Sequence, residues 1–316
     1  MAIFLNVLLL LVGFVLLIKG ADFFVDGSSS VAKLMGVPSF VIGLTIVAMG
    51  TSAPEAAVSV SAGLQGSNEL AISNVVGSNI FNLLMVAGTC AVIKPYKIEK
   101  VMLKRDFPIN VIISFILLGL MIIGNVLGYL NGIALLVGIV SYILWVVLSA
   151  VRNKEVHLED DIKKLSPLMS VVFIIGGLAA IIGGGQLVVK NATSIAYAFG
   201  WSETFVGLTI VAIGTSLPEL VTSIVAAKKG ESGLALGNVI GSNIFNILFI
   251  LGISSVVRPI IVDSDAIINV CIMIGVTLMV YLCCLIKKGM GRIVGALCVT
   301  TYIAYTAYLL LTTLKA

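Results

Sequence analysis

The chain has 316 residues, of which 59% are hydrophobic and only 11% charged, and its mean hydropathy is +1.19. A soluble domain has about 25% charged residues, so this composition predicts a polytopic membrane protein and excludes an ordinary soluble domain. The formal net charge of +4 is explained by basic loops between apolar segments, and nucleic acid is not expected as a partner.

Apolar runs and their breaks predict ten membrane-spanning helices. The first run, residues 2–18, lacks the basic start and cleavage site of a signal peptide and is interpreted as the start of the first helix. The first and sixth spans exceed the ~20 residues needed to cross a bilayer, which predicts steep tilts. The predicted spans are 3–29, 39–64, 70–93, 107–124, 129–151, 168–197, 203–227, 233–257, 265–286 and 291–314.

One stretch of the chain occurs twice. Residues 43–55 are G-L-T-I-V-A-M-G-T-S-A-P-E, and residues 207–219 differ from them at only two of thirteen positions. A second block, G-S-N-I-F-N, stands at 77–82 and again at 241–246. Both pairs are related by an offset of 164 residues. Because each half holds five spans, the halves cross the membrane in opposite directions, an architecture of transporters with a site at the repeat interface.

This pattern predicts an all-α membrane protein made of a first five-helix repeat, residues 1–151, and a second, inverted one, residues 167–316. A charged linker, residues 152–166, joins the two repeats. It holds four carboxylates, which could form a regulatory cation site, although a solvated connection is the simpler interpretation. The four are Glu155, Glu159, Asp160 and Asp161.

Basic residues predict the orientation. Fifteen of the nineteen Lys and Arg residues lie in the odd-numbered connections, and only Arg258 and Lys315 lie in the segments on the other side. The positive-inside rule then places the odd-numbered connections and the linker in the cytoplasm and both termini outside. The basic loops are expected near anionic headgroups of the bilayer.

Each copy of the repeated stretch ends in a carboxylate, Glu55 or Glu219, at a depth where a charge costs several kcal/mol and marks a candidate functional site. Pro54 and Pro218 cannot donate to the carbonyl four residues back, so the backbone is expected to be distorted there. On a helix, the small and hydroxyl side chains of each motif share a face with its glutamate. These residues are Ala48, Thr51 and Ser52 in the first copy and Ala212, Thr215 and Ser216 in the second.

The third and eighth spans add a second set of oxygen atoms. Ser78 and Asn82 share a helix face, and Ser242 and Asn246 repeat the pair. Together with the motifs they form an all-oxygen set, which suits hard cations such as Ca²⁺ and Na⁺. Two glutamates can neutralise one dication, two monocations or two protons, which is a basis for ion exchange, and their titration is expected to be coupled. No cofactor is expected.

Other polar and small residues leave alternatives open. The asparagines of the third and eighth spans could serve the site or hydrogen-bond a neighbouring helix. Asp22, Asp26 and Lys19 could pair locally or line an entry path. The sixth-span glycines predict a packing or sliding face, and Gly77 and Gly241 are expected to allow close helix approach. The asparagines are Asn74, Asn79, Asn238 and Asn243, and the glycines are Gly176, Gly177, Gly183, Gly184 and Gly185.

The doubled motif G-T-S-x-P-E with G-S-N-I-x-N, in ten inverted-repeat spans, resembles the cation/Ca²⁺ exchanger superfamily over essentially the whole chain. The resemblance is closest to compact prokaryotic Na⁺/Ca²⁺ exchangers, which implies a cell-membrane location and a gating pair formed by the first and sixth helices. It implies Ca²⁺ ligands from Glu55, Glu219 and the Thr51 and Thr215 carbonyls. It further implies Na⁺ sites at Ala48, Ser52, Ser78, Ala212, Ser216 and Ser242, with Asn82 and Asn246 near the centre.

One position departs from this pattern. Some Na⁺-driven relatives and the K⁺-dependent ones carry Asp where this chain has Asn246, so K⁺ co-transport is not expected. The expected function is Ca²⁺ export in exchange for Na⁺, with H⁺/Ca²⁺ exchange as the alternative within the class. A cation channel could use the same oxygens. An intramembrane enzyme lacks support, since the spans hold no nucleophile–base pair. The oligomeric state stays open, and a monomer fits the sequence.

Overall fold

A computed structural model describes residues 2–65, 69–152, 165–201 and 206–313. Within these ranges the protein is all-α apart from four two-residue strands. Eight helices are long and apolar enough to cross a membrane, or ten if each bent pair is one span, as predicted. The helices are α1 (Ala2–Met35), α2 (Ser39–Thr51 and Ala53–Leu64), α3 (Leu70–Ile93), α4 (Met102–Gly124), α5 (Tyr129–Arg152), α6 (Pro167–Ala198), α7 (Thr209–Thr215 and Leu217–Lys229), α8 (Ser232–Val257), α9 (Ser264–Lys287) and α10 (Arg292–Thr313).

Two predicted boundaries are wrong. Helix α1 continues to Met35 rather than ending at 29, because neither glycine with positive φ nor proline interrupts it before Gly36 and Pro38. Helix α4 begins at Met102 rather than 107. Its charged first turn looked like a loop, but Asp106 is fully buried and pairs with Arg105 at 2.8 Å, which allows the turn to enter the protein. Most of the predicted linker, residues 153–164, lies outside the described residues.

Helices α1 and α6 pack antiparallel at backbone contact. A Cβ added at Gly20 would lie 2.8 Å from the Gly177 carbonyl, and one at Gly13 would lie 2.9 Å from the Gly184 carbonyl. The pairing of lower with higher numbers gives the opposed directions that the inverted repeat requires. Such approach needs residues without a Cβ.

The predicted glycine face of α6 is therefore only partly correct. Gly177 and Gly184 face α1, whereas a Cβ added at Gly185 would lie 3.8 Å from Pro218 of α7. Gly176 and Gly183 have no atom of the described chain within 4 Å of an added Cβ. The periodicity of a helix explains this division, because adjacent residues point about 100° apart and cannot both face one partner.

Two short strand pairs join the repeats at opposite ends of the bundle. Strand β1 (Tyr96–Lys97), between α3 and α4, pairs antiparallel with β4 (Gly289–Met290), between α9 and α10. Strand β2 (Val126–Leu127), between α4 and α5, pairs with β3 (Ile260–Ile261), between α8 and α9. Each pair joins connections of the same predicted side. The centre of the fold is formed by α3 and α8, in whose apolar stretches 72% and 83% of the residues are buried, against 11% in α10.

Candidate cation site

Both repeated motifs lie at a bend. Helix α2 turns by 46° between Thr51 and Ala53, and α7 turns by 54° between Thr215 and Leu217. A π-helical turn precedes each bend, at Gly43–Val47 and at Gly207–Val211. Proline at the start of the second segment and the π turn are both known causes of helix distortion. The predicted distortion is thus present, although residues 48–55 form two helical segments rather than the single helix used for the face prediction.

The bends place each glutamate in the first turn of a new helix segment. Glu55 and Glu219 are only 1% exposed, and the positive end of a helix dipole favours a carboxylate there. The sequence S-x-P-E matches a capping box, but neither serine caps its own helix. Instead, the Ser52 hydroxyl donates to Glu219 Oε1 at 2.9 Å, and the Ser216 hydroxyl donates to Glu55 Oε1 at 2.9 Å. The two repeats are therefore tied to each other at their carboxylates.

The amides of α3 and α8 form a second symmetric arrangement. Asn82 and Asn246 are 1% exposed and begin the π-helical turns Asn82–Val86 and Asn246–Ile250. Asn82 Nδ2 donates to Asn243 Oδ1 at 3.2 Å, and Asn246 Nδ2 donates to Asn79 Oδ1 at 3.0 Å. Each amide nitrogen is thus used in a bond to the other repeat.

The remaining asparagines brace the motif segments. Asn238 Oδ1 accepts from the Thr51 hydroxyl at 3.0 Å, and Asn238 Nδ2 donates to the Ser223 hydroxyl at 3.0 Å. Asn74 Nδ2 mirrors this second bond, donating to Ser59 at 2.9 Å. These contacts place all four asparagines whose role was left open in hydrogen bonds between helices.

Several buried oxygen atoms of the predicted set have no hydrogen-bond partner within the part of the chain that the structure describes. Buried polar atoms in native proteins are nearly always satisfied, so each exception needs an explanation. These atoms are all acceptors or hydroxyls, which is the chemistry of a ligand shell for a hard cation. They are Glu55 Oε2, Glu219 Oε2, Asn82 Oδ1, Asn246 Oδ1 and Ser242 Oγ.

The other predicted residues lie around these atoms. Ser78 Oγ is 3.2 Å from Ser216 Oγ, which links α3 to the Glu55 carboxylate. Thr51 is fully buried and Thr215 partly buried. The carbonyl of Ala48 accepts the Ser52 N–H at 3.0 Å, and Ala212 begins the turn Ala212–Thr215. In the described ranges no three His, Cys, Asp or Glu side chains form a metal-binding group, and the oxygens beside the two carboxylates belong to hydroxyls, amides and the backbone.

Comparison with known proteins gives the family. The model of the sodium/calcium exchanger protein family matches residues 5–152 and 169–311. The chain belongs to the sodium/calcium exchanger family. It is 43% identical to the putative antiporter CaxA of Alkalimonas amylolytica over 81% of this chain and 82% of that protein. It is 33% identical to the sodium/calcium exchanger MaX1 of Methanosarcina acetivorans, over 96% and 98%.

A solved structure of the sodium–calcium exchanger NCX_Mj, soaked with zero Na⁺ and Ca²⁺, has the same fold. It superposes with a TM-score of 0.86 at 32% identity and covers 97% of this chain and 99% of that one. The expected family and architecture are therefore confirmed, and the family is one of transporters.

A buried ion pair was not predicted from the sequence. Asp106 accepts two bonds from Arg105, at 2.8 and 3.1 Å, and one from the Tyr142 hydroxyl at 3.2 Å. The Arg105 guanidinium also lies over the ring of Trp145, 5.6 Å from its centroid. The repeat carried no signal for this cluster, because the position equivalent to Asp106 in the second repeat is Val270.

Proposed function

We propose that the protein is a secondary active antiporter that exchanges Ca²⁺ for Na⁺ by alternating access. The observation that carries this proposal is the set of unpartnered, buried oxygens on Glu55, Glu219, Asn82 and Asn246. Leaving such atoms without partners in a membrane protein is costly, and a bound cation would offset that cost. The family membership and the named relatives support the same choice of ions.

The charge of the site supports exchange rather than simple binding. Two carboxylates balance one Ca²⁺ or two monovalent ions, so one ion state can replace another at the same pair. Ca²⁺ would be held by both glutamates with the Thr51 and Thr215 carbonyls. A Na⁺ ion near Ser52 or Ser216 would need the hydroxyl to rotate away from its carboxylate and present an oxygen lone pair. The Na⁺ ligands would come from Ala48, Ser52, Ser78, Ala212, Ser216 and Ser242.

Differences between equivalent positions of the two repeats support alternating access. Gly241 of α8 packs against α2, where an added Cβ would lie 2.7 Å from the Leu44 backbone. Its counterpart Gly77 of α3 is exposed and has no described atom within 4 Å of an added Cβ. Among the described atoms, the close approach expected at Gly77 is not found. Likewise, Asn238 is fully buried and its counterpart Asn74 only partly.

Nearly identical sequences thus adopt two different packings, one closed and one open. In an inverted repeat, exchange of the two packings would close the open side and open the closed one. We infer that the two five-helix repeats, residues 1–151 and 167–316, are the units that exchange these two packings. With the odd-numbered connections in the cytoplasm, the open packing lies on the outer side and the structure corresponds to an outward-facing state. Both termini are then external, in a cell membrane.

The absence of a third carboxylate favours a second candidate, H⁺/Ca²⁺ exchange. With Asn82 and Asn246 at the centre, only the glutamate pair could carry protons. Both candidates use the same site, and they differ only in the ion that returns.

Transport of ⁴⁵Ca²⁺ into proteoliposomes separates the candidates. One set of vesicles is loaded with Na⁺ at equal pH on both sides, and another carries an outward proton gradient without Na⁺. We expect uptake in the first set only, and uptake in the second set only would establish the proton-coupled alternative. A Glu55→Gln variant should abolish uptake in either set. Flux without any counter-ion would indicate a channel, and near-normal uptake by the variant would refute the site.

A further inference from the structure

Asn79 and Asn243 meet where α3 and α8 cross at the centre of the fold. Asn79 Nδ2 donates to the Asn243 carbonyl at 3.2 Å, and Asn243 Nδ2 donates to the Asn79 carbonyl at 3.3 Å. Both side chains are 1% exposed. Both amide nitrogens donate to backbone carbonyls. Each Oδ1 is therefore left to accept a hydrogen bond from a neighbouring side chain. These two oxygens receive the amide nitrogens of Asn82 and Asn246.

This arrangement determines which end of the central amides faces away from the crossing. A primary amide has an oxygen at one end and two N–H donors at the other. With Nδ2 held by Asn243 or Asn79, the Oδ1 atoms of Asn82 and Asn246 lie on the opposite side, and both are without a partner in the described chain. Rotation of either amide by half a turn would present N–H donors in their place, and a cation would be repelled.

We propose that Asn79 and Asn243 are positioning residues for ion binding, which orient the oxygens of Asn246 and Asn82 toward the transported cation. The proposal rests on the proposed function, since it concerns the same cation site. It assigns the pairs as Asn243 with Asn82 and Asn79 with Asn246. Outer residues that orient metal ligands in this way typically contribute 10–100-fold to affinity.

A purely structural role, in which the asparagines only hold α3 to α8, would also make their replacement harmful. Substitution of the oriented residue separates the two roles. In an Asn82→Asp variant both ends of the side chain are oxygens, so no orienting partner is needed. Removal of Asn243 should then no longer matter for the ligand at position 82, whereas any loss of helix packing would remain.

The experiment measures Ca²⁺ affinity of the purified full-length protein by titration calorimetry, in a double-mutant cycle. Asn243→Ala, which keeps the backbone carbonyl that Asn79 uses, should weaken Ca²⁺ binding by about 10–100-fold. In the Asn82→Asp background the same change should cost no more than about twofold, which is within the usual scatter of mutational comparisons. The matched control is Asn246→Asp, the same substitution at the central position whose amide bonds to Asn79 rather than to Asn243. In that background Asn243→Ala should keep its full cost in Ca²⁺ affinity.

Equal costs of Asn243→Ala in all three backgrounds would overturn the proposal in favour of a structural role. Relief by Asn246→Asp as great as by Asn82→Asp would overturn it in favour of a general effect of charge. The mirrored cycle, Asn79→Ala with Asn246→Asp, should repeat the result. If the unaltered protein binds no Ca²⁺, the proposed function itself fails, and this outcome is distinct from failure of the cycle.

Discussion

Replacing Gly177 with alanine would test the contact between α1 and α6. The added Cβ would lie 2.6 Å from the Phe24 nitrogen and 2.7 Å from the Gly20 carbonyl, where ordinary contact begins at 3.4 Å. The two backbones would therefore have to separate by several tenths of an ångström along a contact that includes Gly13 and Gly184. Overpacking of this kind costs about 1–3 kcal/mol. If one transport state bears most of that strain, the maximal rate falls by about one order of magnitude for each 1.4 kcal/mol.

The matched control is Gly176→Ala, on the same helix and one residue away, where no described atom lies within 4 Å of the new Cβ. Alanine is the better helix former, so this variant should be neutral or slightly stabilised. Both variants would be compared by thermal unfolding in detergent and by initial rates of Na⁺-driven ⁴⁵Ca²⁺ uptake. Ca²⁺ affinity should stay unchanged in both. Equal stability and equal rates for the two variants would refute the close packing on which the expectation depends.

Three further changes test other parts of the molecule. Glu55→Gln and Glu219→Gln should each weaken Ca²⁺ binding by more than about 100-fold, because changes to residues outside the ligand shell already cost up to that much. Calorimetry that shows one variant tolerated and the other not would contradict the symmetric site. Asp106→Asn leaves the mostly buried Arg105 without its counter-ion and should lower the free energy of unfolding by about 3–5 kcal/mol while Ca²⁺ affinity is retained. A loss below about 1 kcal/mol would mean that the pair contributes no more than a surface salt bridge. Gly77→Cys should react with a membrane-impermeant thiol reagent added outside, and reaction only from inside would reverse the proposed orientation.

The repeat made most of the fold predictable. Its offset of 164 residues, with five spans per half, required opposed directions, and the antiparallel contact of Gly20 with Gly177 agrees with them. The proline in each motif predicted the bends of α2 and α7. Such inferences succeed because they depend on local chemistry and on the number of crossings rather than on tertiary packing.

The hydrogen-bond partners within the site could not be predicted in the same way. The S-x-P-E pattern specifies a serine near the start of a helix, and a local cap would have satisfied it. Only the folded chain brings Ser52 to Glu219 and Ser216 to Glu55, more than 160 residues away in sequence. Asp106 was missed because its charged neighbours in sequence made it look solvated. Only the folded chain shows that it is buried and bonded to Arg105 and Tyr142.

The symmetry of the site differs between its centre and its periphery. At the centre two sets of equivalent bonds have matching lengths, 2.9 and 2.9 Å for the serine–glutamate pairs and 3.2 and 3.3 Å for the Asn79–Asn243 pair, although Ser78 contacts Ser216 and Ser242 Oγ has no partner in the described chain. At the periphery the equivalents differ, since Gly241 is packed and Gly77 is exposed. A transition between two states need change only what is asymmetric. We expect the crossing of α3 and α8 to stay in place while the packing around Gly77 and Gly241 changes, which makes the central amides the part of the site most suited to setting ion selectivity in both states.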